Sequence, residues 1–212
     1  MHTTLHSTAG TTAQPELDFA LLAGAAAWQQ LSPAIRKRFA AGHGNVTYHG
    51  SLQLQASVIG RVFGAIARLF GSPLAARRKH PVAATVKVLG DGQGGVIWER
   101  HLGQAGQTDS QCVRSTKRLG PGGGLDECTD GGLSMRLEVC VEEGALVFYS
   151  RHYFLLLGRW RLRVPSLLTP GTCRVEHRDE GPGCFRFTLD MKHPLWGHTF
   201  HQTGVFHDPK ES

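Results

Sequence analysis

The spacing of apolar residues along the chain distinguishes helices from strands. Residues 16–31 are rich in Ala and Leu, which predicts a helix, and in "SPAIRKRFA" Ser32 can cap a second helix whose first residue is Pro33. Apolar and polar residues alternate over residues 45–56, "NVTYHGSLQLQA", which predicts a half-buried strand. In "SVIGRVFGAIARLFGSP" apolar residues recur every three or four positions, which predicts an amphipathic helix of about four turns.

From residue 80 onward the alternation is almost entirely that of strands. Two of them flank the hairpin loop "GDGQGG", and "LVFYSRHYFLLL", apolar on both faces, is predicted to be central in the sheet. The stretch "GPGGGLDE" at residues 120–127 is predicted to be a flexible loop. The pattern predicts a meander of seven to nine strands, over residues 82–89, 96–102, 109–117, 135–142, 146–157, 159–164, 173–179, 184–191 and 198–207.

Strands and helices do not alternate along the chain, which argues against a doubly wound parallel sheet. We therefore predict an α+β fold, a long curved antiparallel β-meander like a half-barrel, packed on N-terminal helices and enclosing an apolar cavity between sheet and helix. Residues 1–15 are predicted to be a disordered N-terminal arm, residues 16–207 a single α+β domain, and residues 208–212 a C-terminal tail.

Composition and charge place the chain among ordinary globular proteins. Of its 212 residues, 41% are hydrophobic and 19% are charged. The net charge of +6 is scattered, and the densest runs, such as that at residues 77–79, hold only three basic residues. This distribution predicts a solvated basic surface without a nucleic-acid partner, and it leaves an anionic ligand or a membrane surface open.

Sequence signals for targeting and for cofactors are missing. No apolar run approaches the ~20 residues that span a bilayer, and the first residues lack the basic cluster and apolar core of a secretory signal. Five cysteines without a C-x-x-C indicate reduced thiols in a cytoplasmic protein. The chain has neither G-x-S-x-G nor a G-x-G-x-x-G between strand and helix, so we predict no dinucleotide or other cofactor.

Four histidines lie in the closing stretch "HPLWGHTFHQTGVFHDP", at residues 193–209. On a strand, alternation places His198 on one face with Gln202 and two phenylalanines, and His201 on the opposite face. The split removes the simplest zinc site, so we predict no metal. His198 and Gln202 are candidates for polar groups of a ligand pocket, and the alternative is a histidine satisfied by hydrogen bonds and partly buried.

A second candidate lies in the strand that contains "WER". Trp98 and Arg100 share a face, so a core-facing Trp98 draws Arg100 inward. A buried arginine needs a carboxylate or an anionic ligand. Carboxylates that could serve as partners are those of Glu138, Asp190 and Glu176. The alternative is a structural ion pair near the edge of the sheet.

The third candidate is "FYSRHYF", where Tyr149, Arg151 and Tyr153 share one face of the central strand. Such a row can line a pocket, with the arginine on an acidic group and the tyrosines against a flat ligand. It can equally be an outer face whose long side chains reach into solvent.

Several stretches together resemble the bacterial domain family of unknown function DUF4166. The matching pieces are "GRVFGAIARLFGSP", "WERHLG", "MRLEVCVEEGALVFYSRHYFLLLGRWRLRVPSLLTPG" and "FRFTLDMKHPLWGHTFHQTGVF". The resemblance covers about residues 32–207 and implies no set of catalytic residues. It implies a domain that occurs alone or fused behind a nucleotide-binding oxidoreductase-like domain.

The function predicted from these features is the binding of an apolar or aromatic small molecule, with or without an acidic group, in the cavity between sheet and helix. The predicted ligand-binding residues are Trp98, Arg100, Tyr149, Arg151, His198 and Gln202. One alternative is an enzyme of isomerase, cyclase or hydrolase type that uses a His with an Arg or Tyr in the same cavity. Another is an interaction domain that docks on an oxidoreductase. The sequence leaves open whether the protein is an enzyme.

Overall fold

The structure, a computed structural model, describes residues 16–40, 45–69, 80–103 and 110–209. The predicted N-terminal arm, the basic run at residues 77–79 and the last three residues of the predicted tail lie outside the described residues. In the part of the chain that is described, no helix is long and apolar enough to cross a membrane.

Three short helices open the described chain: α1 (Phe19–Ala23), α2 (Ala25–Trp28) and α3 (Pro33–Arg38). The single helix predicted for residues 16–31 is interrupted at Gly24, whose φ of 85° ends α1 and is accessible to glycine without strain. The side chain of Asp18 caps α1. The predicted cap of α3 is present, since the Ile35 backbone N–H donates to the Ser32 hydroxyl at 3.2 Å.

Eleven strands and one longer helix, α4 (Val58–Leu69), make up the rest of the fold. One-turn 3-10 helices occur at Pro121–Gly123 and Ser166–Leu168. The strands are β1 (Val46–Ala56), β2 (Val82–Gly90), β3 (Val96–Leu102), β4 (Gln111–Leu119), β5 (Leu125–Thr129), β6 (Leu133–Glu142), β7 (Ala145–Leu157), β8 (Trp160–Val164), β9 (Thr172–Gly181), β10 (Cys184–His193) and β11 (Gly197–His207).

Ten of these strands close into an antiparallel barrel. The order runs from β6 through β5, β4, β3 and β2 to β1, and from β1 through β11, β10 and β9 to β7, which pairs back with β6. The eleventh strand, β8, forms a hairpin on β7 outside this ring. The predicted half-barrel is therefore wrong: the first and last strands pair with each other and leave no open edge there.

The second correction concerns "GPGGGLDE", which was predicted to be a flexible loop. Its last three residues begin β5, which pairs with both β4 and β6, and Asp126 and Glu127 are buried. Two adjacent carboxylates after a run of glycines suggest an exposed loop. They are buried in this fold because basic side chains of neighbouring strands neutralise them.

Aromatic side chains join the N-terminal helices to the inside of the barrel. Phe39 follows α3 and stacks on Trp98 of β3 with ring centroids 5.8 Å apart, and Phe19 of α1 meets Phe148 of β7 edge-on at 5.7 Å. These residues belong to one apolar cluster that also includes Phe185, Phe187 and Phe206. The helices therefore contribute to the barrel core, as expected for elements packed on a sheet.

Helix α4 lies on the outside of the barrel, against β11 and β1. Its buried residues are the small Gly60, Gly64 and Ala67, and the partly buried Phe63 packs against the core beside them. A Cβ atom on Gly60 would lie 2.0 Å from the carbonyl oxygen of Thr199, so the helix approaches β11 closely.

Candidate functional site

A groove of about 870 Å³ lies between the β7–β8 hairpin and the adjoining ends of β9, β10 and β11. It forms because β7 changes its partner. The strand pairs with β9 only over residues 146–149, and it pairs with β8 from Tyr153 to Leu157. Between these two ladders the strands separate and expose side chains from both edges of the gap.

A β-bulge stands on each side of this groove. On β7 the bulged residue is Arg151, because Leu137 of β6 pairs with Ser150 while Arg136 pairs with His152. On β11 it is Thr199, because Met191 of β10 pairs with Phe200 while Lys192 pairs with His198. An extra residue reverses the alternation of side chains beyond it, so both strands present different faces before and after the bulge.

The bulge on β7 breaks up the predicted row of Tyr149, Arg151 and Tyr153. Tyr153 is buried on the inner side and donates a hydrogen bond to the Gly171 carbonyl at 3.0 Å. Tyr149 lies on the outer side, where its hydroxyl accepts from Arg174 Nε at 2.9 Å. Arg151 is exposed and forms an ion pair with Glu138. All three still line the groove, although not as one face.

The bulge on β11 separates His198 from Gln202 in the same way, so their predicted shared inward face is wrong. Gln202 is buried in the barrel, opposite Leu54 and Leu189. His198 is exposed and lines the groove. The two polar residues therefore belong to different environments.

Hydrogen bonds fix the floor of the groove where the strand ladder is interrupted. The Cys173 backbone N–H donates to the Ser150 hydroxyl at 2.8 Å, and the Thr199 hydroxyl donates to the Pro170 carbonyl at 2.6 Å. Together with the bond from Tyr153 to Gly171, these contacts tie the start of β9 to β7 and β11. The groove is thus held open by the fold itself.

The charge of the groove is predominantly positive. Four cationic side chains line it, and the single carboxylate among its lining residues, that of Asp190, is already hydrogen-bonded to His201 Nδ1 at 2.7 Å. The cations are Arg151, Arg163, Arg174 and Lys192. Burial lowers the pKa of the neighbouring His152, and the nearby positive charge of Arg163 lowers it further.

Two of the four cations are already engaged in ion pairs. Arg174 bonds to Glu142 at 2.8 Å and to Glu176 at 2.7 Å, and Arg151 pairs with Glu138 as described above. The side chains of Arg163 and Lys192 form no ion pair or hydrogen bond with any other described residue. These two are therefore the groove cations available to an anionic ligand.

Trp98 and Arg100 lie inside the barrel, on the shared inward face that strand alternation predicts. The carboxylate near Arg100 is that of Glu127, 3.4 Å from the guanidinium, so the three carboxylates expected from the sequence are the wrong partners. Glu127 is also 3.0 Å from Lys117 Nζ and accepts from the Ser115 hydroxyl at 2.6 Å. The arginine belongs to a buried ion cluster rather than to an open pocket.

The two nearby cations keep the carboxylate of Glu127 ionised in this cluster. Burial alone would raise the pKa of Glu127, but Lys117 and Arg100 hold it at about 2. Burial also lowers the pKa of Lys117, which Glu127 opposes. The neighbouring void is only about 80 Å³, far below the several hundred Å³ that small-molecule sites occupy. The cluster is best described as a structural ion pair in the core.

The sequence did not point to Arg163, Lys192 or His152 as groove residues. Their positions depend on where β7 leaves β9 and on the two bulges, which no local pattern marks. In the described ranges, no group of three or more His, Cys, Asp or Glu side chains could hold a metal ion.

Comparison with known proteins gives a family without an assigned function. The model of a family described as a domain of unknown function (DUF4166) matches residues 31–206. A search of curated proteins gave no match. The crystal structure of Rv2717c from M. tuberculosis aligns with a TM-score of 0.45 at 12% sequence identity, covering 85% of this chain and 99% of that one.

Proposed function

We infer that this chain, which belongs to the DUF4166 family, binds an apolar or aromatic small molecule with an acidic group in the groove between the β7–β8 hairpin and β9–β11. The observation that carries the inference is the combination of groove size and charge. A volume of about 870 Å³ suits a small-molecule ligand, and it is lined by two cations, Arg163 and Lys192, that have no partner among the described residues.

The walls of the groove account for the apolar part of such a ligand. Val164, Pro165 and Pro194 present aliphatic surface, and Tyr149 offers an aromatic ring whose hydroxyl is already held by Arg174. Contact with these groups removes apolar ligand surface from water, which supplies most of the binding free energy. The acidic group of the ligand then fixes the orientation of the ligand in the groove by pairing with Arg163 and Lys192.

This site differs in position from the cavity expected between sheet and helix. The hollow between the N-terminal helices and β2–β3, which Trp98 lines, is smaller, at about 370 Å³. Inside the barrel the void next to Trp98 and Arg100 has space for water but not for a ligand of this class. Of the six residues predicted to bind ligand, Tyr149, Arg151 and His198 line the groove. Catalysis in the groove has less support, because the Tyr149 hydroxyl is bonded to Arg174 and its pKa is raised by burial.

Two fluorescent probes test the proposal directly. Anilinonaphthalene sulfonate carries an acidic group, and phenylnaphthylamine has the same aromatic rings without it. We expect the wild-type protein to bind both, and the sulfonate more tightly. Filling the groove by Val164→Trp should abolish both signals.

The charge requirement is tested by Arg163→Gln and Lys192→Gln. Hydrogen bonds to charged groups contribute about 1.5–3 kcal/mol, and the exposure of both cations reduces this, so each substitution should weaken sulfonate binding about fivefold. Binding of the neutral probe should not change. Arg118→Gln, at an exposed arginine on β4, is the matched control. Equal losses for both probes would refute recognition of the acidic group, and undiminished binding to Val164→Trp would refute the location.

A further inference from the structure

Helix α4 carries bulky apolar residues on the side that faces away from the barrel. Val58, Val62 and Ile66 follow one another at four-residue spacing and are 66%, 53% and 47% exposed. On the inner side Gly60 closely approaches Thr199 of β11, Gly64 is buried, and Phe63 is partly buried against the core. A surface helix normally buries its bulky apolar side. In the described chain this stripe has no covering element.

The β10–β11 turn adds further exposed apolar residues beside the helix. Leu195 and Trp196 are exposed on the turn. The ring of Phe63 on α4 contacts the rings of Trp196 and His193, with centroids 5.7 Å and 5.8 Å apart. His193 Nε2 lies 3.4 Å from the Leu167 carbonyl oxygen. Helix, turn and the 3-10 helix at Ser166–Leu168 therefore adjoin one another.

The β7–β8 hairpin extends this surface. Trp160 and Leu162 are exposed on β8, which runs through Pro165 into the 3-10 helix, where Leu168 is also exposed. We use the term apolar face for the outer sides of α4, β8, the 3-10 helix and the β10–β11 turn. The exposed large apolar side chains of the described residues lie on this face or directly beside it, with one exception. The exception is Leu21 on α1, which is not part of the face.

Charge on the apolar face has one sign. The segments 57–69, 155–174 and 191–207 contain no Asp or Glu. Exposed basic residues are interspersed with the apolar ones, namely Arg61, Arg68, Arg159, Arg163 and Lys192. Exposed apolar side chains flanked by basic groups are the composition of surfaces that bind anionic lipid membranes.

We propose that the apolar face docks on a lipid bilayer that contains anionic headgroups. Leu195, Trp196 and the outer stripe of α4 enter the interfacial layer, and the arginines contact lipid phosphates. A second copy of this chain fits less well, since two identical faces would bring like charges together. The groove opens beside this face, but the docking does not depend on any ligand in it.

Tryptophan fluorescence provides a local readout of docking. Trp160 and Trp196 are 64% and 47% exposed on the apolar face, whereas Trp28 and Trp98 are buried. Vesicles of equal amounts of phosphatidylcholine and phosphatidylglycerol should therefore shift the emission to shorter wavelength, and brominated acyl chains should quench it. Vesicles of phosphatidylcholine alone should produce a much smaller effect.

Paired substitutions separate the apolar and the electrostatic contributions. Leu168→Ser together with Leu195→Ser should lower the partition coefficient on anionic vesicles by about tenfold or more, because each leucine loses burial in the interface. Leu21→Ser, at an 81% exposed leucine on α1, is the matched control and should leave the coefficient unchanged.

For charge, Arg61→Gln and Arg68→Gln should each weaken binding to anionic vesicles about fivefold, with Arg118→Gln as control. These side chains are exposed, so the variants should fold like wild type.

Three results would overturn the proposal. One is no emission shift and no co-sedimentation with anionic vesicles. Another is an equal loss in Leu21→Ser and in the double leucine variant. The third is a lipid-free dimer in sedimentation velocity that the double leucine variant dissociates, because a second copy would then cover the face. None of these bears on the groove, whose test uses soluble probes without vesicles.

Discussion

Acid should destabilise this fold through one histidine in the barrel core, His177. Its ring is surrounded by aromatic side chains, with Phe39 at 4.9 Å, Phe187 at 5.5 Å and Trp98 at 5.6 Å between centroids. Its Nδ1 atom is buried without a hydrogen-bond partner among the described residues. Burial lowers its pKa to about 3, and the positive charges of Lys117 and Arg100 add to this effect.

The size and sign of the effect follow from proton binding. In the unfolded chain His177 takes up a proton below its ordinary pKa of 6.5, whereas in the folded protein it stays neutral down to about 3. The unfolded state therefore binds more protons in this window, and the stability present above pH 6.5 is lost as the pH falls. The full loss is about 5 kcal/mol, and roughly half of it is reached at about pH 4.5.

Urea unfolding of wild type and of His177→Leu at about pH 7.5 and about pH 4.5 measures this loss. Leucine has a volume similar to histidine and removes the unpaired nitrogen, so near neutral pH we expect a change within about 1 kcal/mol. At the acidic pH the variant should be the more stable protein by about 2 kcal/mol. His49→Leu, which changes an exposed histidine, should keep the acid loss of wild type. The reasoning fails if His177→Leu loses as much stability in acid as wild type does.

Three further substitutions probe the core and the contact of α4, with urea unfolding as the measurement. Glu127→Gln leaves the ammonium of Lys117 buried beside a neutral partner and should cost about 3–5 kcal/mol, and adding Lys117→Met should recover most of that loss. Asp126→Asn removes the carboxylate that holds one arginine of β6 and one of β8 at 2.7 Å each, and should cost about 2 kcal/mol; an unchanged midpoint would mean that the hairpin is held by other contacts. Gly60→Ala puts a Cβ against the Thr199 carbonyl and should destabilise by about 1–3 kcal/mol, whereas Ala65→Ser, at an exposed position on the same helix, should have little effect.

Much of the secondary structure could be predicted from local sequence patterns. Alternation located β1, β10 and β11, and the capping residue and the proline located α3, because these signals depend on neighbouring residues only. Closure of the barrel could not be predicted, since the pairing of β1 with β11 joins residues more than a hundred and forty positions apart, such as Ala56 and Phe200. β5 was missed because its two acids become compatible with burial only when Lys117, Arg136 and Arg161 stand beside them.

The candidate site was harder to predict than the fold because both bulges lie beside it. Alternation assigns faces correctly only while the register is unbroken, and the register shifts at Arg151 and Thr199. The inward placement of Trp98 and Arg100 was correct because β3 pairs without a shift over their positions. The wrong face assignments of Tyr153 and His198 therefore have the same cause, a β-bulge that shifts the register of the strand.

Helix α4 shows how an amphipathic pattern can leave the orientation of a helix undetermined. The spacing of Val62, Phe63 and Ile66 predicts an apolar side, but it does not say what that side meets. Close approach to β11 leaves no room for a side chain at Gly60 itself, Phe63 packs beside it against the core, and Val58 and Val62 stay exposed on the outer side. An apolar stripe turned outward in this way costs solubility unless something covers it. The positive charges around it, those of Arg61 and Arg68 among them, are complementary to the negative charge of an anionic bilayer. This complementarity is why we propose a membrane as the partner of this surface.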